Sequence, residues 1–457
     1  MAPPSALTAD LAFAPVASSV AERNGVEANN VTYSPTPIGI PKLAELDPSK
    51  LKVTVTKTPR HFQADSSKIE WGKADVSTDH WITAKWSETK GWAAPELRPY
   101  GPIDLWPTAS CLHYATECFE GMKAYRGFDG SLRLFRPTKN TARMLVSSTR
   151  IALPGFSPSA LEELINILLA TDGPKWAPEP GSFLYIRPTM IGTGGALGVH
   201  QPREAMLFII LSQFPVLYEK NMRLLASRED SIRAWPGGFG YAKVGANYGP
   251  SLMAQKEAQA RGYDQILWLF DKSCQVTEAG ASNFFVIWKN KDTGRVELVT
   301  APLDDKIILD GVTRRSVLEL ARDRLTVSNG EIQGLDIVER KYTMMDLVDA
   351  AKEDRLLETF AAGTAFFISS VSIIHFRGEN ICPKQTNGTY TGILKSWLKA
   401  IMLGEESHEW AVTVPETGFE VDASATEKEI DEMAESLRQM RANPAFTAAL
   451  QKVQAEI

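Results

Sequence analysis

The stretch Y-A-K-V-G-A-N-Y-G-P (241–250) is the most informative part of this 457-residue chain. Its lysine, Lys243, stands among glycines, aromatic residues and small side chains, and no Asp or Glu occurs between Ser231 and Lys256. Such surroundings disfavour the charged ammonium form of a lysine. A partly neutral amine can attack a carbonyl carbon and form a Schiff base. Lys243 is therefore a candidate nucleophile, and an ordinary lysine on a glycine-rich loop is the alternative.

Length and composition are those of a globular protein. Apolar residues make up 44% of the chain, charged residues 23%, and the net charge is −6. A nucleic-acid-binding protein would instead carry a strong basic excess. The longest apolar run, A-M-L-F-I-I-L (205–211), is too short to cross a bilayer. A chain of this length predicts two domains.

Cysteines and histidines indicate neither a disulfide scaffold nor a metal site. The four cysteines have no C-x-x-C spacing, and the six histidines form no metal-binding pair. Reduced thiols and an intracellular location are expected. The first basic residue, Arg23, follows two acidic residues, which is unlike an Arg-rich mitochondrial presequence. The cytoplasm is the expected compartment, with the mitochondrion as the alternative.

Changes in composition along the chain predict five segments. They are a disordered leader over 1–48, a small N-terminal α/β domain over 49–217, a linker over 218–227, a larger C-terminal domain over 228–417 and a charged helical extension over 418–457.

Apolar periodicity predicts the individual elements inside the two domains. Helices are expected over 141–150, 157–170, 250–262 and from Val312 to 322. Strands are expected over 132–135, 183–191, 205–211, 265–270, 283–288 and 366–374, with a helix before A-G-T-A (362–365).

Pyridoxal phosphate is a cofactor that binds through a lysine, and it makes three further demands. Its ring nitrogen needs an acidic partner, its phosphate needs cationic and N–H donors, and its phenolic oxygen needs a donor. Glu278 lies between two apolar strands, where a carboxylate requires a cationic partner such as a pyridinium. A Glu at an exposed strand end is the alternative.

Candidates for the phosphate site come from three segments. The N–H groups of Val312 and Thr313 are expected to be free at a helix N-terminus, which attracts anions. Thr364 offers a hydroxyl and an N–H group, and Arg143 can hold a phosphate through two donors. Each of these residues also has an ordinary structural explanation when it is considered alone.

Together these segments resemble the branched-chain amino acid aminotransferases, which are fold-type IV pyridoxal-phosphate enzymes. The resemblance covers roughly residues 50–415 and follows the family's order and spacing. The segments that carry it are L-H-Y-A-T-E-C-F-E-G-M-K-A-Y-R-G (112–127), R-L-F-R-P-T-K-N-T-A-R-M (133–144), Y-I-R-P-T-M-I-G (185–192), the lysine segment, T-E-A-G-A-S-N (277–283), L-D-G-V-T-R-R-S-V-L (309–318), G-T-A (363–365) and H-E-W (408–410).

The resemblance implies an α+β or α/β fold of two domains, each with mixed β-structure flanked by helices, and an active site at the domain interface. It implies that Lys243 binds the cofactor covalently, that Tyr248 donates to the phenolic oxygen and that Glu278 binds the ring nitrogen. The implied phosphate ligands are Arg143, Val312, Thr313 and Thr364.

The resemblance also implies the substrate pocket and the oligomeric state. Tyr114, Phe119 and Tyr185 match the pocket walls, and Ala365 matches a backbone contact near the substrate carboxylate. Leu197 and Val199 match loop residues that reach the partner subunit's pocket, which implies a homodimer. The chain departs from the family pattern at Ala281, where Thr is common, so one hydroxyl near the substrate is missing.

The activity implied is ping-pong transamination of leucine, isoleucine and valine with 2-oxoglutarate. The partners expected are therefore small amino acids and 2-oxo acids, without nucleic acid or membrane. A D-amino acid aminotransferase or an aminodeoxychorismate lyase of the same fold type remains an alternative. A non-catalytic relative that serves as an interaction module is another.

Overall fold

The computed structural model of the protein describes residues 43–63, 69, 76–214, 221–330, 332–365 and 367–416. All of them belong to one compact unit that begins at Leu43. No helix within these residues is long and apolar enough to cross a membrane.

The first sheet has ten strands among the described residues, and parallel and antiparallel pairs are mixed in it. Its order is β1-β4-β2-β9-β8-β6-β7-β19, with β3 beside β2 and β5 beside β8. The strands are β1 (Lys52–Val53), β2 (Ser77–Ser87), β3 (Gly91–Trp92), β4 (Glu96–Pro99), β5 (Glu117–Phe119), β6 (Met122–Arg126), β7 (Leu132–Phe135), β8 (Phe183–Gly192), β9 (Glu204–Ser212) and β19 (Ala411–Thr413). The expected strands over 132–135, 183–191 and 205–211 are confirmed.

Three helices accompany this sheet: α1 (Ser110–Tyr114), α2 (Pro137–Arg150) and α3 (Pro158–Trp176). Both α2 and α3 carry Pro at the start, where its missing N–H costs no hydrogen bond. Helix α3 is apolar on nearly all sides because it packs in the core of the first sheet, against β2 and α2. The two predicted helices are confirmed, and α3 continues six residues beyond its predicted end at 170.

The second sheet has nine strands in the described part of the chain, again of mixed direction. Its order is β12-β11-β10-β17-β16-β13-β14-β15, and a further pairing of β12 with β13 closes six of the strands into a ring. The strands are β10 (Met222–Ala226), β11 (Gln265–Phe270), β12 (Gln275–Ala279), β13 (Ser282–Lys289), β14 (Val296–Thr300), β15 (Asp336–Glu339), β16 (Leu356–Gly363), β17 (Phe367–Phe376) and β18 (Glu379–Ile381).

Four helices belong to this half of the chain: α4 (Gly249–Ala260), α5 (Val312–Arg324), α6 (Met344–Lys352) and α7 (Thr389–Met402). Short 3-10 helices cover Pro48–Lys50 and Gly245–Asn247. Helix α5 begins at Val312, as the sequence predicts, and packs on β16 and α7. One hydrophobic cluster includes Phe135 of the first sheet together with Phe285 and Phe360 of the second, so the two sheets share buried apolar surface.

The structure differs from the sequence-based expectation in two segments near the predicted domain boundaries. Residues 43–48 of the predicted leader are packed, because Leu46 is buried and the backbone of Ala44 pairs with Lys90 and Trp92. Met222–Ala226, predicted as linker, forms a strand because its apolar side chains pack in the core of the second sheet. The other boundaries stay a prediction, and the extension over 418–457 lies outside the described residues.

The segment before G-T-A is also different from the expectation. Leu356–Gly363 is a strand, not a helix, and it pairs on both sides with β13 and β17. Tertiary pairing thus overrides the helix propensity of its Leu, Glu and Ala residues.

Candidate active site

A cavity of about 400 Å³ is lined by residues from both sheets. All seven predicted cofactor-binding residues line it, and so do three of the six predicted substrate-binding residues. The former are Arg143, Lys243, Tyr248, Glu278, Val312, Thr313 and Thr364, and the latter are Phe119, Tyr185 and Ala365.

Lys243 enters the cavity from a loop that is fixed by backbone hydrogen bonds. Its N–H donates to Ser147 Oγ at 2.8 Å, and its carbonyl accepts from the N–H of Phe119 at 3.1 Å. Its amine donates to the Tyr248 hydroxyl at 3.2 Å and lies 4.9 Å from the centre of the Phe119 ring. Among the described residues, no carboxylate lies within ion-pair distance of this amine.

Gly240 allows this loop to approach the segment 307–310 closely. A Cβ atom there would lie 2.4 Å from the carbonyl oxygen of Ile307 and 2.8 Å from its Cα, which is backbone that cannot rotate away. We therefore expect Gly240→Ala to destabilise the fold by about 1–3 kcal/mol through overpacking. Thermal unfolding measures this loss. Gly101→Ala is the control because its Cβ meets no atom within 4 Å, and equal melting temperatures for the two variants would contradict the expectation.

Glu278 is a buried carboxylate, only 3% exposed, on strand β12. Its Oε1 accepts from Asn283 Nδ2 at 3.2 Å and from the N–H of Leu309 at 3.1 Å, and its Oε2 pairs with Arg233. Arg233 was missed in the sequence, since it precedes Glu278 by 45 residues and carries no motif. These donors hold the carboxylate ionised at the cavity wall, where a protonated ring nitrogen could meet it.

The start of helix α5 forms an anion seat at the other end of the cavity. The N-cap residue, Gly311, has no side chain to cap the helix, so the first N–H groups face outward. In the described part of the chain, neither the N–H groups of Val312 and Thr313 nor the Thr364 hydroxyl has a hydrogen-bond acceptor. Arg143 lines the same end, and its guanidinium is held by Glu120, which was not among the predicted site residues.

Aromatic side chains form the remaining wall together with an arginine. The rings of Tyr185 and Phe214 stack at 4.5 Å, and those of Phe119 and Tyr248 lie 5.2 Å apart. Arg187 donates to the Tyr185 hydroxyl at 2.9 Å and lies 4.6 Å from the centre of the Phe119 ring. Its Nε is buried without a partner among the described residues. Arg187 was missed although it stands in the quoted segment Y-I-R-P-T-M-I-G.

Three predicted substrate-binding residues lie outside this cavity. Leu197 is 62% exposed and Val199 is 89% exposed, and Tyr114 accepts a hydrogen bond from the N–H of Gly198 at 3.0 Å. The three residues therefore form one exposed group on the surface of the single chain. Ala281, the position that departs from the family pattern, does line the cavity.

Comparisons with known sequences agree on one family. A family model described as amino-transferase class IV matches residues 117–374. The chain is 44% identical over 375 residues to the mitochondrial branched-chain-amino-acid aminotransferase of Schizosaccharomyces pombe, covering 80% of this chain and 85% of that protein. It is 41% identical over 379 residues to the cytosolic branched-chain-amino-acid aminotransferase of Saccharomyces cerevisiae, covering 81% of this chain and 98% of that protein.

Solved structures share the fold. A bacterial-type branched-chain amino acid aminotransferase complexed with N-(5'-phosphopyridoxyl)-L-glutamate, its organism abbreviated T.th., matches with a TM-score of 0.57 and 25% identity, covering 73% of this chain and 98% of that one. The branched-chain aminotransferase of Thermoproteus uzoniensis with norvaline matches with a TM-score of 0.58, covering 73% and 100%. At 24% identity, the second likeness indicates the fold alone.

Proposed function

The chain belongs to the class IV aminotransferases, among the branched-chain-amino-acid aminotransferases of fold type IV, and we propose on that basis how its own residues carry out the reaction. It transfers the amino group of branched-chain L-amino acids. We propose 2-oxoglutarate as the acceptor and a ping-pong order, in which both substrates use the cavity around Lys243 in turn. The observation that carries this proposal is the Lys243 amine, which faces the cavity without a carboxylate partner among the described residues.

Pyridoxal phosphate fits the residues that line this cavity. Helix α5 offers uncapped N–H groups at Val312 and Thr313, and Arg143 and Thr364 add donors, so a phosphate monoester would be held there. Glu278 would hold the proton of the ring nitrogen, and Tyr248 would donate to the phenolic oxygen. When bound, the cofactor supplies a carbonyl carbon for amines and an electron sink for the charge that develops on the substrate α-carbon.

Lys243 is the proton carrier in this proposal. Its amine, released when the substrate amine takes its place, removes the proton from the substrate α-carbon as general base and later returns it as general acid. The Tyr248 hydroxyl accepts a hydrogen bond from this amine at 3.2 Å and so orients it toward the substrate. Glu278 is held by its three donors and keeps its negative charge throughout.

One pocket has to accept both an apolar side chain and the distal carboxylate of 2-oxoglutarate. Phe119 and Tyr185 supply apolar surface for leucine, isoleucine and valine. Arg187 supplies the charge for 2-oxoglutarate, because its Nε is unpartnered and no carboxylate among the described residues pairs with it. Its guanidinium rests on the aromatic rings when no carboxylate is bound, so an apolar side chain can enter without displacing an ion pair.

A homodimer would cover the exposed group formed by Leu197, Val199 and Tyr114. Trp106 adds to it, since it is exposed and contacts Gly195 of the same loop. Clustered apolar side chains on a surface favour burial against a partner. We propose that a second copy of this chain covers them and receives Leu197 and Val199 beside its own cavity.

For the compartment, we propose the cytoplasm. The relatives named above include a cytosolic and a mitochondrial protein, so family membership alone supports either compartment.

A substrate panel tests the proposed function. With 2-oxoglutarate as acceptor, we expect L-leucine, L-isoleucine and L-valine to give glutamate, and D-alanine to react at least about a hundredfold more slowly, because the pocket orients only one face of the α-carbon toward Lys243. Glutamate formation measures the rates. Faster turnover of D-alanine would favour a D-amino acid aminotransferase. A purified chain that binds no cofactor and turns over nothing would favour the non-catalytic alternative.

A further inference from the structure

Glu120 is a buried charge that the proposed reaction does not use. It stands in the turn between β5 (Glu117–Phe119) and β6 (Met122–Arg126) and is 0% exposed. Its N–H donates to the carbonyl of Pro188 at 2.8 Å, which fixes the turn against β8. A carboxylate at this depth is costly unless donors surround it, so its contacts indicate what it is for.

Glu120 grips Arg143 with both carboxylate oxygens. Arg143 Nε donates to Oε1 at 2.7 Å and Nη2 donates to Oε2 at 2.8 Å, while Nη1 donates to the carbonyl of Asp310 at 2.9 Å. Asn140 Nδ2 donates to the same Oε2 at 2.9 Å. These bonds use three of the five guanidinium N–H groups and fix its plane, which leaves two N–H groups for a ligand in the cavity.

Charge alone does not explain why Arg143 would hold a phosphate. Burial raises the pKa of Glu120, but the Arg143 guanidinium outweighs burial, and the pKa of Glu120 lies below its usual range. Glu120 is therefore ionised at neutral pH and cancels the charge of Arg143. Because the pair has no net charge, its contribution to phosphate binding depends on the direction of the two remaining N–H groups.

The same contacts connect Arg143 to the lysine loop. Ser147, one helical turn further along α2, donates from Oγ to the carbonyl of Arg143 at 3.0 Å and accepts from the N–H of Lys243 at 2.8 Å. Phe119, next to Glu120, donates from its N–H to the carbonyl of Lys243 at 3.1 Å. Glu120 thus holds the guanidinium in the same rigid frame as the lysine.

We propose that Glu120 is a positioning residue that aims Arg143 at the cofactor phosphate and thereby sets the affinity for phosphorylated over unphosphorylated cofactor. The inference rests on the proposed function, since it takes Arg143 as a phosphate ligand. Glu120 itself need not touch the cofactor, because it acts through the guanidinium.

Titration of the cofactor-free protein with pyridoxal phosphate and with pyridoxal, which lacks the phosphate, tests this role. Glu120→Asp keeps the charge but withdraws the carboxylate by one methylene, so the two-point grip on Arg143 is lost. We expect pyridoxal phosphate to bind about tenfold more weakly and pyridoxal within twofold of the wild type, as measured by absorbance. Glu162→Asp is the matched control: Glu162 is a buried glutamate on α3 that has no contact with Arg143, and both ligands should bind as in the wild type.

The outcomes separate the inference from the function on which it rests. In an Arg143→Gln background, Glu120→Asp should add less than twofold to the loss for pyridoxal phosphate, since the residue through which it acts is gone. Equal weakening of both ligands in Glu120→Asp, or no weakening of either, would overturn the inference while leaving the proposed function intact. A wild-type protein that bound neither ligand would overturn both.

Discussion

Lys243→Ala is expected to abolish transamination, with kcat lowered at least about 10⁴-fold, because one side chain supplies both the covalent attachment and the proton transfer. The variant should also lose the absorbance of the lysine-bound cofactor. Its fold should survive, because the contacts that hold the loop are made by the backbone N–H and carbonyl of residue 243, which alanine retains. Steady-state rates, an absorbance scan and thermal unfolding measure the three effects.

Lys123 provides the sharpest control for that prediction. It is the other lysine close to this cavity, its amine donates to the carbonyl of Ala365 at 3.2 Å, and burial lowers its pKa to about 8. Lys123 is therefore partly neutral near pH 8, as a covalent lysine has to be. It does not line the cavity, however, and its amine lies 4.2 Å from the centre of the Phe183 ring.

Lys123→Met should therefore keep the covalently bound cofactor that Lys243→Ala loses. Borohydride reduction followed by peptide mapping should tag Lys243 in the wild type and in Lys123→Met. A tag on Lys123, or turnover by Lys243→Ala within a hundredfold of the wild type, would mean that the wrong amine has been assigned.

Local signals in the sequence were sufficient for several parts of this site. The start of α5 at Val312 follows from the Asp-Gly pair before it and the apolar period after it, and the structure begins the helix at that residue. The grouping of Lys243, Tyr248, Glu278, Arg143 and Thr364 around one cavity, by contrast, depends on strands distant in sequence. Only the order and spacing of whole motifs, compared with a family, could predict it.

Other parts could not be predicted because the sequence does not give the direction of a side chain. Glu120 and Arg187 stand in quoted segments, but a strand places alternate residues on opposite faces, and the face is known only once the sheet is assembled. Arg233 reaches Glu278 across 45 residues. Short apolar runs such as Leu356–Gly363 fit a strand or a helix equally well until their pairing partners are known.

Arg187→Met is expected to separate the two halves of the reaction. Methionine keeps an apolar stem over the Phe119 ring but removes the only described cation that faces the aromatic wall without a carboxylate partner. Leaving the distal carboxylate of 2-oxoglutarate buried and unpaired costs about 3–5 kcal/mol, which corresponds to a fall of about 10²- to 10³-fold in kcat/KM. The leucine half-reaction makes no use of this charge and should change by less than about threefold.

Single-turnover measurements of each half-reaction distinguish a charge effect from general damage to the pocket. The Arg187 guanidinium also donates to the Tyr185 hydroxyl, so its loss could displace that ring. Displacement would slow leucine and 2-oxoglutarate together, whereas loss of the charge slows 2-oxoglutarate alone. Arg187→Lys retains the charge without the planar two-donor geometry and should fall between the wild type and Arg187→Met for 2-oxoglutarate. Equal losses for both substrates in Arg187→Met would contradict the assignment, because the acceptor's carboxylate would then be bound by another group.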